Sequence, residues 1–205
     1  MPKKRFLALG DSYTIGVSVA ESQRWPNQLV ARLRADGVDI GEPRFIAKNG
    51  WTTGHLLEAL DAEKPESAFD AVSLLIGVNN QYDGLDEGEF AEELETLIEL
   101  ACGYTNGVSA RVVVVSIPDW SVTPFAADRD RAAIRKAIDQ YNRLKLDTAR
   151  RLGCPFVDVT TISRRATEDR SLLADDGLHP AGSMYAAWCE ELLPVFRKAL
   201  AAGPK

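Results

Sequence analysis

AVSLLIGVNN, residues 71–80, is the stretch on which the reading of the fold turns. Ala71–Ile76 is apolar except for Ser73 and does not alternate, and it ends at Gly77. A strand with one wet face alternates apolar and polar residues. A continuous run fits a strand covered on both faces, as in a parallel sheet between two layers of helices. Phe6–Leu9, Phe45–Ala47, Val112–Ile117 and Phe156–Val159 are runs of the same kind. Helical patterning lies between and after them, at about 25–36, 52–63, 88–102, 129–152 and 181–201. The fourth is the clearest, with Ile134, Ile138, Tyr141, Leu144 and Thr148 at helical spacing and Gly153 as its stop. This succession of strand and helix predicts an open, doubly wound α/β sheet with right-handed crossovers. The turn-rich stretch 118–128 is expected to be a long loop.

A chain of 205 residues with 45% hydrophobic composition carries one substantial core, so a single domain over 1–205 is expected. The net charge is −6 and the basic residues are scattered, which argues against a nucleic-acid partner. Pro2-Lys3-Lys4-Arg5 resembles the start of a signal peptide, but the apolar run after it is far shorter than a secretory core needs, so a cytoplasmic protein is expected. No apolar run is long enough to span a bilayer. Cys102, Cys154 and Cys189 are odd in number and far apart, which reads as buried free thiols rather than a disulfide framework or a zinc site.

In open α/β sheets, ligands bind beyond the carboxyl ends of the strands. The loops there are Gly10-Asp11-Ser12, Asn49-Gly50-Trp51-Thr52-Thr53, Gly77-Val78-Asn79-Asn80 and, before the last helix, Asp175-Asp176-Gly177-Leu178-His179-Pro180. Each alone is an ordinary turn or cap. Together they hold what ester hydrolysis requires: a nucleophile, a base, a group that orients the base, and donors for the developing oxyanion. Ser12 offers the hydroxyl and His179 the imidazole, while Asp176, three residues earlier, is close enough to fix the ring tautomer. The amides of Ser12 and Gly50 and the side-chain NH₂ of Asn79 are the candidate oxyanion donors. Asp11 braces its turn through local hydrogen bonds. His55, the other histidine, falls inside the second helix and reads as a surface or partly buried residue. Neither a metal nor a cofactor is expected.

These blocks resemble the GDSL-type esterases of the SGNH hydrolase superfamily: Gly-Asp-Ser at 10–12, Gly50, Gly-x-Asn at 77–79 and Asp-x-x-His at 176–179, in the family's order and spread over nearly the whole chain. The resemblance implies a three-layer α/β/α sandwich with a flavodoxin-like five-stranded parallel sheet of order 2-1-3-4-5. It also implies Ser12 as nucleophile, His179 as base and Asp176 as its partner, with Ser12, Gly50 and Asn79 forming the oxyanion hole. One departure stands out: many relatives carry Asp where this chain has Asn80. The absence of Gly-x-Ser-x-Gly sets aside the ordinary α/β-hydrolase elbow.

The expected partner is a small-molecule acyl ester. Trp51, Tyr82, Trp120 and Phe125 are candidates for the pocket wall, and packing in the core is the competing role for each. No long apolar lid segment is evident, which favours short acyl chains. Acyl-thioesters, lysophospholipids and acetylated sugars, or acyl transfer to an alcohol, would use the same residues. A non-catalytic flavodoxin-like binding protein would leave Ser12, Asp176 and His179 without a purpose.

Overall fold

A computed structural model describes residues 3–66 and 68–203. Pro2, part of the basic run at the start, lies outside them. Five strands, β1 (Phe6–Gly10), β2 (Arg44–Ala47), β3 (Ala71–Leu75), β4 (Val112–Val115) and β5 (Phe156–Val157), form one sheet. Its order is β2-β1-β3-β4-β5 and every pairing is parallel. The helices are α1 (Ser12–Ile15), α2 (Trp25–Ala35), α3 (Thr53–Glu63), α4 (Val78–Asp83), α5 (Glu87–Tyr104), α6 (Arg131–Arg151), α7 (Thr160–Ser163) and α8 (Gly182–Ala201). None of the described helices is long and apolar enough to cross a membrane. β1, β3 and β4 are buried along their whole length, as their unbroken apolar runs require.

The register positions the site. Gly10 pairs with Ala47 on one side and Leu75 on the other, so the ends of β2, β1 and β3 are level. The chain leaves all three at one height, toward Gly50, Ser12 and Asn79. Gly10 is required by the close approach of β3: a Cβ there would sit 2.2 Å from the Leu75 carbonyl oxygen and 2.2 Å from Thr14 Oγ1.

The last two strands are shorter than their apolar runs because side chains take over the backbone bonding. Ile117 N donates to Asn142 Oδ1 at 2.7 Å, and Val159 N to Ser116 Oγ at 2.8 Å. The stretch 78–80, read as loop in the sequence, opens the helix Val78–Asp83, because Val78 and Asn80 are buried as the chain turns off β3. Within 118–128 are two short 3₁₀ turns, Trp120–Val122 and Pro124–Ala126. The buried carboxylate of Asp119 pins this segment, taking Ser121 N at 2.9 Å and Arg164 Nε at 2.8 Å.

The cysteines depart in part from expectation. All three are free, but Cys102 is only half-buried, and its sulfur lies 3.8 Å from that of Cys154. Folding α5 against the segment before β5 brings together thiols that are 52 residues apart in sequence.

Candidate active site

Ser12 is the first residue of α1, straight after β1, with Asp11 as the N-cap. Asp11 Oδ1 accepts from Tyr13 N at 3.0 Å, the bond that fixes the turn. Asp11 is fully buried, and burial pushes its carboxyl up to about 7 against the opposing pull of the Tyr13 N–H and of Lys145. Lys145, brought by α6, is likewise fully buried and donates to the Ile76 carbonyl at 2.7 Å. Two buried titratable groups of opposite type therefore lie beneath the serine turn, each driven by burial toward its neutral form.

The loop before α8 brings His179 and Asp176. Asp176 Oδ1 accepts from the backbone N–H groups of Leu178 and His179, each at 2.9 Å, in a tight Asx turn. The other oxygen, Oδ2, lies 2.7 Å from His179 Nδ1. A second donor on Oδ2, Ser18 Oγ at 2.6 Å, was missed in the sequence. Burial alone would raise the Asp176 carboxyl. The bonds from Ser18, Leu178 and His179 outweigh it and hold the group well below the usual carboxylate range. With Nδ1 occupied, the imidazole's Nε2 is the nitrogen left for chemistry. The ring itself packs on Tyr13, centroids 5.4 Å apart.

Gly50 has φ +81, and a Cβ built on it would meet nothing within 4 Å. The glycine thus answers to backbone conformation and leaves the space beside it open to an incoming group. Asn79 Nδ2 donates to the Trp51 carbonyl at 2.8 Å, which ties the loops after β2 and β3 together and leaves the second amide proton uncommitted.

Ser12, Tyr13, Asn79, His179, Leu178 and an aromatic group line one cavity of about 200 Å³. That group consists of Tyr82, Trp120 and Phe125, with ring centroids 5.5–6.0 Å apart. Two bonds hold the wall: Trp120 Nε1 donates to Gln81 Oε1 at 2.7 Å, and Phe125 N to the Gly177 carbonyl at 3.3 Å. Arg129 stacks outside it, 4.8 Å from the Tyr82 centroid, and donates to the Tyr82 hydroxyl at 2.8 Å. Trp51 does not line this cavity. It is half-buried and packs on the core, so its carbonyl, rather than its ring, meets the site.

His55 stands in the first turn of α3, where Nδ1 accepts from Thr52 N at 3.2 Å and closes a capping box. Its side chain serves the helix end. Among the described residues, no group of three or more His, Cys, Asp or Glu is arranged to hold a metal ion.

No curated protein sequence matches the chain. Several solved structures share its fold at low identity. TesA superposes with a TM-score of 0.76 at 19% identity, covering 96% of this chain and 99% of that one. A lipase/acylhydrolase from Enterococcus faecalis gives 0.69 at 23% identity, covering 98% of each chain. Axe2, an acetylxylan esterase from Geobacillus stearothermophilus, gives 0.68 at 19% identity, covering 98% of this chain and 95% of that one. The family model of the GDSL-like lipases and acylhydrolases matches residues 8–187. With that match across most of its length, the chain belongs to the GDSL-like lipase/acylhydrolase family and is a carboxylic ester hydrolase.

Proposed function

We propose that the chain, acting as one hydrolase domain over residues 1–205, cleaves small acyl esters through a covalent acyl-enzyme on Ser12. His179 Nε2 takes the hydroxyl proton as Ser12 Oγ bonds to the ester carbonyl carbon. The resulting oxyanion is met by the N–H groups of Ser12 and Gly50 and by Asn79 Nδ2. Collapse of the tetrahedral intermediate expels the alcohol, which leaves with the proton held by His179. Water then repeats the attack on the acyl-enzyme, and the acid departs with Ser12 restored. Asp176 remains ionised throughout, holding the imidazole in the Nδ1–H tautomer and favouring the imidazolium that forms.

The observation that carries this reading is the 2.7 Å contact of Asp176 Oδ2 with His179 Nδ1, on a histidine that shares a cavity with Ser12. Acyl size follows from volume. A cavity of about 200 Å³ falls below the roughly 300–1,000 Å³ of sites that enclose drug-sized ligands. It suits a short acyl chain, with Tyr82, Trp120 and Phe125 as its wall.

The test is a chain-length series of nitrophenyl esters run on the wild type, Ser12→Ala and His179→Ala. Hydrolysis should be fastest with short acyl groups, and both variants should fall to near background. An organophosphonate should label the wild type at Ser12 and leave Ser12→Ala unmarked. Retention of most activity by either variant, or no label on the wild type, would show that the nucleophile or base is assigned wrongly. Added alcohol acceptors would reveal transfer in place of hydrolysis as acyl-ester products.

A further inference from the structure

Behind the loops that carry Gly50 and Asn79 lies a chain of hydrogen bonds with a fixed direction. Thr53 N donates to Asn80 Oδ1 at 3.0 Å, Asn80 Nδ2 donates to Thr53 Oγ1 at 2.6 Å, and Thr53 Oγ1 donates to Glu93 Oε2 at 2.5 Å. A backbone N–H can only donate, so the Asn80 atom facing it is the oxygen and the NH₂ must face the threonine hydroxyl. That hydroxyl then accepts from Asn80, and its single proton goes to Glu93, whose carboxylate accepts only. Asn80 and Thr53 are buried, and the cavity on which Asn80 and Glu93 border is not the one that holds Ser12. Gly54 leaves room for the carboxylate, since a Cβ there would lie 3.0 Å from Glu93 Oε1. Glu93 also sits at the N-terminus of α3, where negative charge is favoured.

We propose that Glu93, acting through Thr53 and Asn80, is a positioning residue for the oxyanion donors, and that Asn80 and Glu93 are a matched pair whose donor–acceptor polarity fixes the loops of Gly50 and Asn79. This rests on the assignment of those two residues as oxyanion donors. Asn79 and Asn80 are adjacent and bond to the same segment: Asn79 to the Trp51 carbonyl, Asn80 to both the backbone and the side chain of Thr53. The direction of an oxyanion donor is thereby set from a helix, α5, none of whose residues lines the Ser12 cavity. It also explains the amide at position 80. An aspartate there would accept from Thr53 N, but its other oxygen would compete with Glu93 for one hydroxyl proton. One of two like charges would be left without a partner in a buried place.

The polarity can be reversed without breaking the chain. In Asn80→Asp with Glu93→Gln, the aspartate takes both Thr53 protons and the glutamine NH₂ donates to the hydroxyl. The experiment measures kcat and KM on a short-chain nitrophenyl ester for Asn80→Asp, for the double variant and for Ser12→Ala. Asn80→Asp should lose about tenfold or more in kcat with KM changed less than about twofold, as for a fault in transition-state stabilisation. The double variant should return to within about threefold of wild type, a recovery that mere loss of packing does not give. A double variant no faster than Asn80→Asp, or an Asn80→Asp enzyme at the wild-type rate, overturns the proposal while an inactive Ser12→Ala leaves the catalytic reading standing. An active Ser12→Ala overturns both. If Asn80→Asp fails to fold, Glu93→Leu decides: removing the acceptor should lower kcat at least about threefold with KM held, and a wild-type kcat there refutes the role of Glu93.

Discussion

Ser18 donates to Asp176 at 2.6 Å across a sequence separation of 158 residues. Ser18 has φ +67, a left-handed conformation in which a side chain costs energy. A glycine would suit the backbone better, and what serine adds is the hydroxyl on the Asp176 oxygen that also faces His179.

Ser18→Gly therefore separates stability from activity. Thermal stability should hold or rise, because the strain of a side chain in this region, of order 1 kcal/mol, is relieved. The kcat for a small ester should fall roughly three- to tenfold, the scale of one hydrogen bond worth about 1 kcal/mol. Ser18→Asn, which tolerates this conformation and restores an N–H donor, should recover part of the loss. A melting scan paired with steady-state kinetics checks both. Unchanged kcat in Ser18→Gly would mean that the serine only shapes the turn.

Asn79→Ala should fold normally and lose about 10²–10³ in kcat, the usual cost of one oxyanion donor. Circular dichroism with an ester assay reads both outcomes. Near-normal turnover in the folded variant would remove Asn79 from the oxyanion hole.

Tyr82 is 41% exposed and stands at the cavity mouth between Trp120, Phe125 and Arg129. Tyr82→Ala should enlarge the space for acyl groups and free Arg129. The preferred chain length in a nitrophenyl ester series should move upward, with kcat/KM for acetyl reduced. An unchanged length profile would take Tyr82 out of the acyl wall.

Lys145 gives a test in pH. Burial pushes its ammonium down to about 7 from the ordinary 10.5, with the Asp11 carboxyl opposing that fall. Between those values the unfolded chain binds a proton that the folded one rejects, so this group's contribution to stability grows as pH rises and is lost as pH falls through the folded value. Lys145→Met has no such contribution. In urea titrations from about pH 7 to about pH 10, the stability of wild type relative to the variant should climb with pH. Parallel curves would show that Lys145 stays charged in the fold.

The sheet was legible because burial on both faces leaves an unbroken apolar run, as in Val112–Val115. Strand ends were less so: Ser116 and Asn142 capture backbone bonds that apolar content alone would assign to the sheet. The catalytic candidates were readable because each occupies a loop directly after a strand or before the last helix. Ser18 was not, since nothing local marks a serine whose partner is Asp176 and whose left-handed backbone is visible only in three dimensions. Glu93 stayed hidden for a similar reason: in sequence it is one acid among several on α5, and only packing against α3 turns it toward Thr53. The ring of Trp51 misled because it follows Gly50, a candidate oxyanion donor, whereas the loop turns the indole toward the core.

The level rung of Ala47, Gly10 and Leu75 gathers Gly50, Ser12 and Asn79 from the first half of the chain, while Asp176 and His179 come from its far end. During synthesis Ser12 emerges long before His179, the base proposed for it, and domains form as their chain becomes available. A nascent chain holding the first three strands would carry a serine with no proton acceptor. Esterase activity should therefore switch on only after the segment leading into α8 has emerged and docked, making turnover a reporter of completed folding rather than of a formed sheet.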